Sequence, residues 1–409
     1  MQLLASHSHA FGEEAFRLSA SLETWGYFNH QAPTRDSYLN PDNGVVRVAP
    51  EQFVADFRLN MRLSSDAVDM VLQPRFLGES QENGSGKRNR SETGFRQAFA
   101  RLAFGDGATL VAGRNVMAWG PANFRSPSSP FYFDSGKLNP LREVVGIDLL
   151  RLEQVTGQYS FALGHVFNTP EQNGSAASHT SFLKIDYQGA AFLASANVAK
   201  RNSGKPFFGA FAQHNMSDAL MLYAEYGYGQ RAGGMAIDAA QSPSFRPHSF
   251  GESATSILLG ASYTLLDGQV VSLESLHDRR GYSGAEQDMY FDLLKQSAYL
   301  ATNAPDPALR GRSLGMLGLA AANSPSLLGR NYLSLLWQSN PQESAQYWRV
   351  ATIFNVHDRS GQISGYYEKN LSSRFSGFIS GVRNLGPADS EFRSVVEQVL
   401  TVGIKAYIF

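Results

Sequence analysis

Apolar and polar side chains alternate along most of the 409-residue chain, the period expected of β-strands whose two faces meet different surroundings. In residues 53–63 the odd positions are apolar from Phe53 to Leu63, whereas the even positions include Asp56 and Arg58. The same alternation recurs in 68–75, 181–188 and 219–229. The charged face requires water, and the apolar face requires lipid or a second sheet.

The connections between these segments alternate in length, and this favours lipid over a second sheet. Short turns such as 64–66, 105–107 and 266–268 are separated by longer polar links. The longer links lie near 30–48, 81–92, 120–146, 169–179, 200–205, 230–252, 279–328, 357–361 and 384–391. One-sided long loops with short turns opposite are typical of bacterial outer-membrane barrels, and the segments number about 18. This even number predicts that both termini lie on the short-turn, periplasmic side.

We therefore predict an all-β fold: one transmembrane antiparallel up-and-down β-barrel over 1–409, with two long folded loops at 120–146 and 279–328. A β-propeller or a β-helix would carry a repeated motif, which this sequence lacks. A soluble sandwich of this length would normally divide into domains.

Composition excludes several classes of function. The chain contains no cysteine, which rules out thiol catalysis, disulfides and cysteine metal sites. Its formal net charge of −1 argues against a nucleic-acid partner. Because no run of about 20 apolar residues occurs, no transmembrane helix is expected. Residues 1–7 lack the basic and apolar regions of a signal peptide, so we expect a mature or recombinant start.

The last predicted strand, 397–409, ends on an aromatic residue, Phe409. A terminal phenylalanine that closes an amphipathic strand resembles the end of bacterial outer-membrane barrels, where the assembly machinery recognises it. The resemblance implies a location in the bacterial outer membrane, with lipid and lipopolysaccharide around the wall. Its more apolar face consists of Leu400, Val402, Ile404, Ala406 and Ile408.

Tyrosine and tryptophan near strand ends are candidates for aromatic girdles at the two membrane interfaces. Ordinary β-propensity is the alternative explanation, since it enriches aromatic residues in any sheet. The candidates are Trp25, Tyr27, Trp119, Tyr226, Tyr228, Trp337, Trp348, Tyr366 and Tyr367.

Charged side chains on the water-facing parity are candidates for the lining of a pore. A barrel of about 18 strands is too wide for its own side chains to fill, so its lumen holds water or a plug. A charged lining can select polar or anionic solutes, although the same charges can also simply pair across strands. The predicted pore-lining residues are Arg17, Asp56, Arg58, Arg62, Arg75, Arg114, Lys184, Asp186, Glu225 and Arg349.

The first long loop, 120–146, is rich in proline and in clustered aromatic residues. An exposed loop would seldom place three consecutive aromatic side chains in solvent, so we expect the loop to fold inward and narrow the pore. A packed cap over the mouth is the alternative. The residues expected at this constriction or cap are Arg125, Phe131, Tyr132, Phe133, Lys137 and Arg142.

The second long loop, 279–328, is expected to be partly helical. Apolar positions in 285–301 have roughly helical spacing, and a Gly- and Ala-rich stretch follows at 311–322. Loops of this length inside a compact fold are usually functional, so we expect a lid, a plug or a docking site.

The segment Gly113-Arg-Asn-Val-Met-Ala-Trp-Gly120 resembles a strand end of large bacterial export porins of the alginate-export type. The resemblance implies passive passage of a polar solute or a secreted polysaccharide, with Arg114 as a pore arginine. The chain differs from this type in its nearly balanced charge, which argues against a strongly anionic substrate.

Two other classes of function are consistent with a barrel. A structural barrel would anchor or enclose a partner from an envelope or secretion complex instead of conducting. An outer-membrane hydrolase would need an acid–His pair, but neighbouring residues His277 and Asp278 point to opposite faces of a strand. No metal-ligand spacing or phosphate-binding loop is present, so we expect no enzyme activity, no metal and no cofactor.

Overall fold

The alternating segments fold into a ring of antiparallel strands in a computed structural model, which describes residues 16–83, 86–132, 138–170, 177–231, 234–238, 244–248, 251–340, 342 and 345–408. Eighteen strands form the ring within these residues, and β1 closes it by pairing with both β2 and β20. The ring strands are β1 (Arg17–Pro33), β2 (Glu51–Ser64), β3 (Val68–Asn83), β4 (Gly86–Phe104), β5 (Ala108–Asn115), β6 (Ile147–Thr156), β7 (Tyr159–Asn168), β8 (Thr180–Gln188), β9 (Phe192–Arg201), β10 (Phe207–Asn215), β11 (Leu220–Gln230), β14 (Ser253–Thr264), β15 (Val270–Asp278), β16 (Asn331–Gln338), β17 (Gln346–Asn355), β18 (Gly361–Asn370), β19 (Phe375–Leu385) and β20 (Val396–Ile408). The predicted β-barrel is therefore confirmed.

The remaining elements belong to three long connections at the same end of the barrel. A small hairpin, β12 (Gly234–Asp238) and β13 (Ser244–His248), lies between β11 and β14. Two helices, α1 (Gly284–Asn303) and α2 (Pro307–Asn323), lie between β15 and β16. A short 3₁₀ turn at Pro41–Asn43 follows β1. No helix in the described part of the chain is both long and apolar enough to cross a membrane.

The period-two pattern separates an apolar outer face from a polar inner face. Outer side chains such as Phe53, Leu163 and Leu259 remain 54%, 58% and 59% exposed, which is unusual for large apolar groups. Their neighbours in the chain point inward, and Asp56 on this inner face is only 1% exposed. An exposed apolar band around a closed ring is the surface that a lipid bilayer covers.

The connection predicted near 81–92 is not a long link, because β3 and β4 continue through it as a paired hairpin. Here both faces are polar, with the cross-strand pair Gln81–Arg88 on one face and Glu82–Lys87 on the other. A strand pair that extends beyond the apolar band has no apolar face, so hydrophobic periodicity cannot reveal it.

Several predicted girdle aromatics lie on the inner face instead of the outer one. Trp25 is 7% exposed, with the Arg58 guanidinium 3.9 Å and the Lys405 ammonium 4.2 Å from its ring centre. Tyr366 is likewise buried on the inner wall. Outer-face positions are kept by Tyr226, Tyr228, Trp337 and Tyr367.

The helices form a compact cluster with the neighbouring loops at the long-loop end. Ser283 and Glu286 form a capping box at the start of α1, and Asp306 caps α2. The apolar faces of α1 and α2 pack against each other, against Tyr282 and against residues of the adjacent loops and of the β12–β13 hairpin. The buried set is Leu39, Met235, Tyr282, Tyr290, Phe291, Leu293, Leu294, Ala298, Leu317, Ala320 and Leu328. We call the connection 279–330 the helical insertion.

Candidate functional site

The described residues of the connection between β5 and β6, 116–132 and 138–146, lie within the lumen and contact opposite sections of its wall; we call them the strap. Its first anchor is Glu225, near the middle of β11, whose side chain is 2% exposed. This carboxylate accepts hydrogen bonds from the Ala122 amide at 2.8 Å and from the Ser126 hydroxyl at 2.6 Å. It also accepts from the amide and hydroxyl of Ser128, at 3.2 and 2.8 Å. One wall carboxylate thus satisfies four donors of an irregular segment.

A second wall carboxylate, Glu274 on β15, binds the adjacent part of the strap. It accepts from the amides of Asn123 at 2.6 Å and Phe124 at 2.8 Å. The Tyr223 hydroxyl on β11 donates to the same carboxylate at 2.6 Å. Because buried backbone donors must be paired, these two glutamates fix the path of residues 122–128 through the lumen.

Two inner-face glycines give the strap backbone room against the wall. A β-carbon added at Gly227 would lie 2.1 Å from the Pro127 carbonyl oxygen. One added at Gly209 would lie 2.3 Å from the Ser128 carbonyl oxygen. Both distances are shorter than any allowed contact, so only glycine permits this approach.

The opposite wall holds the other end of the strap through Glu143, whose side chain is 6% exposed. Its carboxylate lies 2.8 Å from the Arg75 guanidinium and 3.5 Å from that of Arg96. Arg58 is 3.8 Å away, and Arg58 and Arg75 also share Asp56, each at 2.7 Å. These strands, β2 to β4, face the first anchors across the ring, since β2 and β11 are nine strands apart in either direction.

Aromatic packing holds the middle of the strap against a third section of wall. Phe131 is fully buried, with its ring centre 4.9 Å from Trp119 and 5.3 Å from Phe182 on β8. The Met117 amide donates to the hydroxyl of Tyr132 at 3.3 Å, and burial raises the pKa of Tyr132 to about 12. The strap is therefore packed on its apolar side and hydrogen-bonded on its polar side.

The strap forms the floor of a cavity of about 660 Å³ at the long-loop end, which we call the basin. Strap residues, the ends of β9 and β15, and the segment Ser324–Leu327 of the helical insertion line it. Five cationic side chains and one carboxylate occur among the described lining residues. They are Arg125, Arg142, Arg201, Lys205 and Arg280, with Asp278 as the acid.

A second cavity of about 180 Å³ lies between the strap and β17–β19. Arg142 lines both this cavity and the basin, and Arg349 lines the second cavity from the wall. Phe124, Leu138 and Tyr366 supply much of its apolar lining. Arg142 therefore borders both spaces beside the strap.

The helical insertion is tied to the wall by Glu391, in the connection between β19 and β20. Its carboxylate accepts from the Leu328 amide at 2.8 Å, the Tyr332 hydroxyl at 2.7 Å and the Asn355 amide group at 2.7 Å. Burial raises the pKa of Glu391 to about 7 despite these donors, and the nearby Asp358 carboxylate contributes to the rise. Of these, Leu328 directly follows the basin-lining segment Ser324–Leu327.

The predicted pore-lining residues occupy different levels of the inner wall. Arg62 pairs with Asp69 at 2.6 Å near the short-turn end, and Arg17 lies exposed at the start of β1. Lys184 and Asp186 pair with each other on the inner face of β8. Asp56, Arg58, Arg75 and Glu225 belong to the strap anchors, and Arg349 lines the second cavity.

Arg114 does not join this set. It lies on the opposite face of β5 from the buried Val111 and Asn115, and it pairs with Asp148 on β6 at 2.7 Å. It borders a small cavity of about 110 Å³ beside Glu143, not the basin. Its register on β5 therefore does not support a pore-lining role. Phe133, Lys137 and Phe409 lie outside the described residues.

Sequence reasoning missed several residues that build this site. Glu143 and Arg96 were not singled out, and neither were the basin cations Arg201, Lys205 and Arg280. The available signal was the pair of inner-face glycines on β10 and β11, since a glycine within a strand often marks a close approach by another backbone. Within the described residues, no three His, Asp or Glu side chains form a group able to hold a metal ion.

No protein-family model matches the chain, and no curated protein matches it. Solved structures do match in fold. OccK5 (OpdH) of Pseudomonas aeruginosa is 11% identical, with 96% of this chain and 98% of that chain covered and a TM-score of 0.54. The outer membrane protein OprD of the same organism is 11% identical, with coverage of 100% and 97% and a TM-score of 0.53. OccK11 (OpdR) is 12% identical, with 96% of each chain covered and a TM-score of 0.53.

At this level of identity the likeness is one of architecture. It extends over nearly the full length of both chains, so the whole barrel is shared and not one section of it. The comparisons give no support to the resemblance to alginate-export porins that residues 113–120 suggested. The chain thus has the closed 18-strand antiparallel fold of these barrels.

Proposed function

We propose that the chain is a bacterial outer-membrane channel through which small polar solutes, anionic ones preferentially, diffuse past the strap. The observation that carries this proposal is the combination of an apolar outer band with a basin lined by five cationic side chains and one carboxylate. Clefts lined by one sign of charge concentrate counter-ions and select them. The fold shared with the outer membrane protein OprD supports the location.

The proposed path runs from the long-loop mouth into the basin, past Arg142, and into the second cavity beside Arg349. In this orientation the long loops face the exterior, and the short turns and both termini face the periplasm. Lipid and lipopolysaccharide would cover the apolar band. Recognition of Phe409 by the assembly machinery remains a prediction. Nothing in the described residues supports a polysaccharide cargo, a catalytic centre or a particular partner from an envelope complex.

The test is single-channel recording of the purified full chain in planar bilayers, with a KCl gradient to measure ion preference. We expect discrete conductance steps and a reversal potential on the anion-selective side. R142Q should reduce the chloride preference by about threefold, because it removes the cation shared by the two cavities. The matched control is R383Q, since Arg383 pairs with Glu397 away from the basin.

Folded protein that inserts into bilayers but produces no steps would reject the channel proposal. That outcome would favour the structural barrel, with the lumen closed by the strap and the helical insertion.

A further inference from the structure

Asp278 is the one carboxylate among the described residues that line the basin, and it stands where the anionic group of a solute would be expected. Asp278 ends β15, and its side chain is 3% exposed. The guanidinium of Arg280 binds it in a bidentate manner, with Nε at 2.7 Å and Nη2 at 3.0 Å, and the Arg280 amide also donates at 3.1 Å. Nη2 of Arg125, on the strap, lies 3.6 Å from Oδ2 of the same carboxylate.

The two arginines come from the two structures that enclose the basin. Arg125 belongs to the strap, and Arg280 belongs to the start of the helical insertion. Bidentate arginine–carboxylate pairing is the geometry by which proteins recognise free carboxylates and phosphates. The carboxylate of Asp278 thus occupies the position beside the arginines that the carboxylate or phosphate of a solute would take.

A conducting site must attract its solute and still release it. Five cations around about 660 Å³ would hold a multivalent anion tightly if no carboxylate opposed them. A resident carboxylate lowers the local positive potential, and a solute must compete with it for the two arginines.

We propose that Asp278 is a specificity-determining residue of the channel, a resident counter-anion that keeps the basin from retaining anionic solutes. This inference rests on the proposed channel function. Without the carboxylate, the positive charges of Arg125 and Arg280 would be less well balanced, and an anion from solution would be held more tightly beside them.

The experiment compares the full-length wild type with D278N in planar bilayers. Inorganic phosphate is the probe, and block of the potassium chloride current is the readout. We expect D278N to show a larger chloride-to-potassium permeability ratio and half-maximal phosphate block at a concentration about tenfold lower. D148N is the control, because Asp148 pairs with Arg114 outside the basin, and it should behave as wild type.

A second variant changes the same site in the opposite direction. R280Q removes one of the two cations and leaves Asp278 in place, so chloride preference and phosphate block should both fall. It also tests the inference if D278N fails to assemble. If D278N conducts with unchanged chloride preference and phosphate block, or if R280Q leaves both unchanged, the role of Asp278 is overturned and the channel function still stands. A silent wild type would instead reject the channel function.

Discussion

In the strap, backbone amides and hydroxyls are bound by wall carboxylates; in the helical insertion, apolar side chains bury one another. Glu225 and Glu274 fix residues 122–128 from the wall, so the shape of the strap is specified by the barrel. α1 and α2 instead share a hydrophobic cluster with neighbouring loops, and Glu391 ties the end of the insertion to the wall. The strap is therefore held in the lumen by the wall, and the helical insertion is held mainly by its own hydrophobic cluster.

The largest effect is expected from releasing the strap with E225Q and E274Q together. Glutamine keeps the size of the side chain, but its amide group offers one acceptor oxygen in place of two. Several buried donors of the strap lose their partners, at a cost of about 3 kcal/mol or more in the free energy of unfolding. Single-channel conductance should rise by about twofold or more as the strap leaves the lumen.

The control for the double variant is E397Q, because Glu397 pairs with Arg383 on β19. Unaltered conductance in the double variant, with intact barrel assembly on a heat-modifiability gel, would show that the strap is held by other contacts.

A smaller change tests the fit between wall and strap. G227A places a methyl group where the Pro127 carbonyl oxygen lies, so the strap must shift away from β11. Overpacking of this kind typically costs about 1–3 kcal/mol. Thermal unfolding in detergent measures the loss, and conductance measures the displacement.

G381A is the matched control, since a β-carbon at Gly381 meets no atom within 4 Å. Equal unfolding temperatures for G227A and G381A would contradict the close approach.

The smallest effect concerns the helical insertion and depends on pH. With the insertion packed against the wall, the pKa of Glu391 is about 7, above its ordinary value of 4.5. In this packed state Glu391 binds its proton more tightly than an exposed glutamate does, so acid stabilises the packed insertion. Stability is lost as the pH rises from about 4.5 through about 7. Fluctuations of the helical insertion, recorded as current noise, should be greater at pH 8 than at pH 5.

E391Q mimics the protonated carboxyl and should remove this pH difference. The groups facing Glu391 include Asp358 and the buried hydroxyls of Tyr332 and Tyr290. H357N is the control, since His357 contacts Asp288 of α1 at 3.0 Å and so joins the helical insertion to the wall at a different point. Persistence of the pH difference in E391Q and its loss in H357N would transfer the effect to the histidine.

The barrel was predictable because lipid and water impose opposite chemistry on the two faces of every strand, as in the alternation around Phe53 and Asp56. The 81–92 region was not predictable, because beyond the lipid both faces of a strand meet water. The strap contacts were missed for a different reason. Glu225 was predicted only as a pore-lining residue and Glu143 not at all, because each binds partners far away in the chain and no local pattern records such pairs.

A hollow cylinder is easily flattened, and its wall resists only through hydrogen bonds between strands. Here the strap joins β11 and β15 to β2–β4 across the full width of the ring, with ionic contacts at one end and carboxylate–amide bonds at the other. If the barrel became oval by moving these two sections of wall apart, the contacts at one end of the strap would have to break first. The strap, which lies beside the proposed solute path, thus also stiffens the cross-section of this barrel from within.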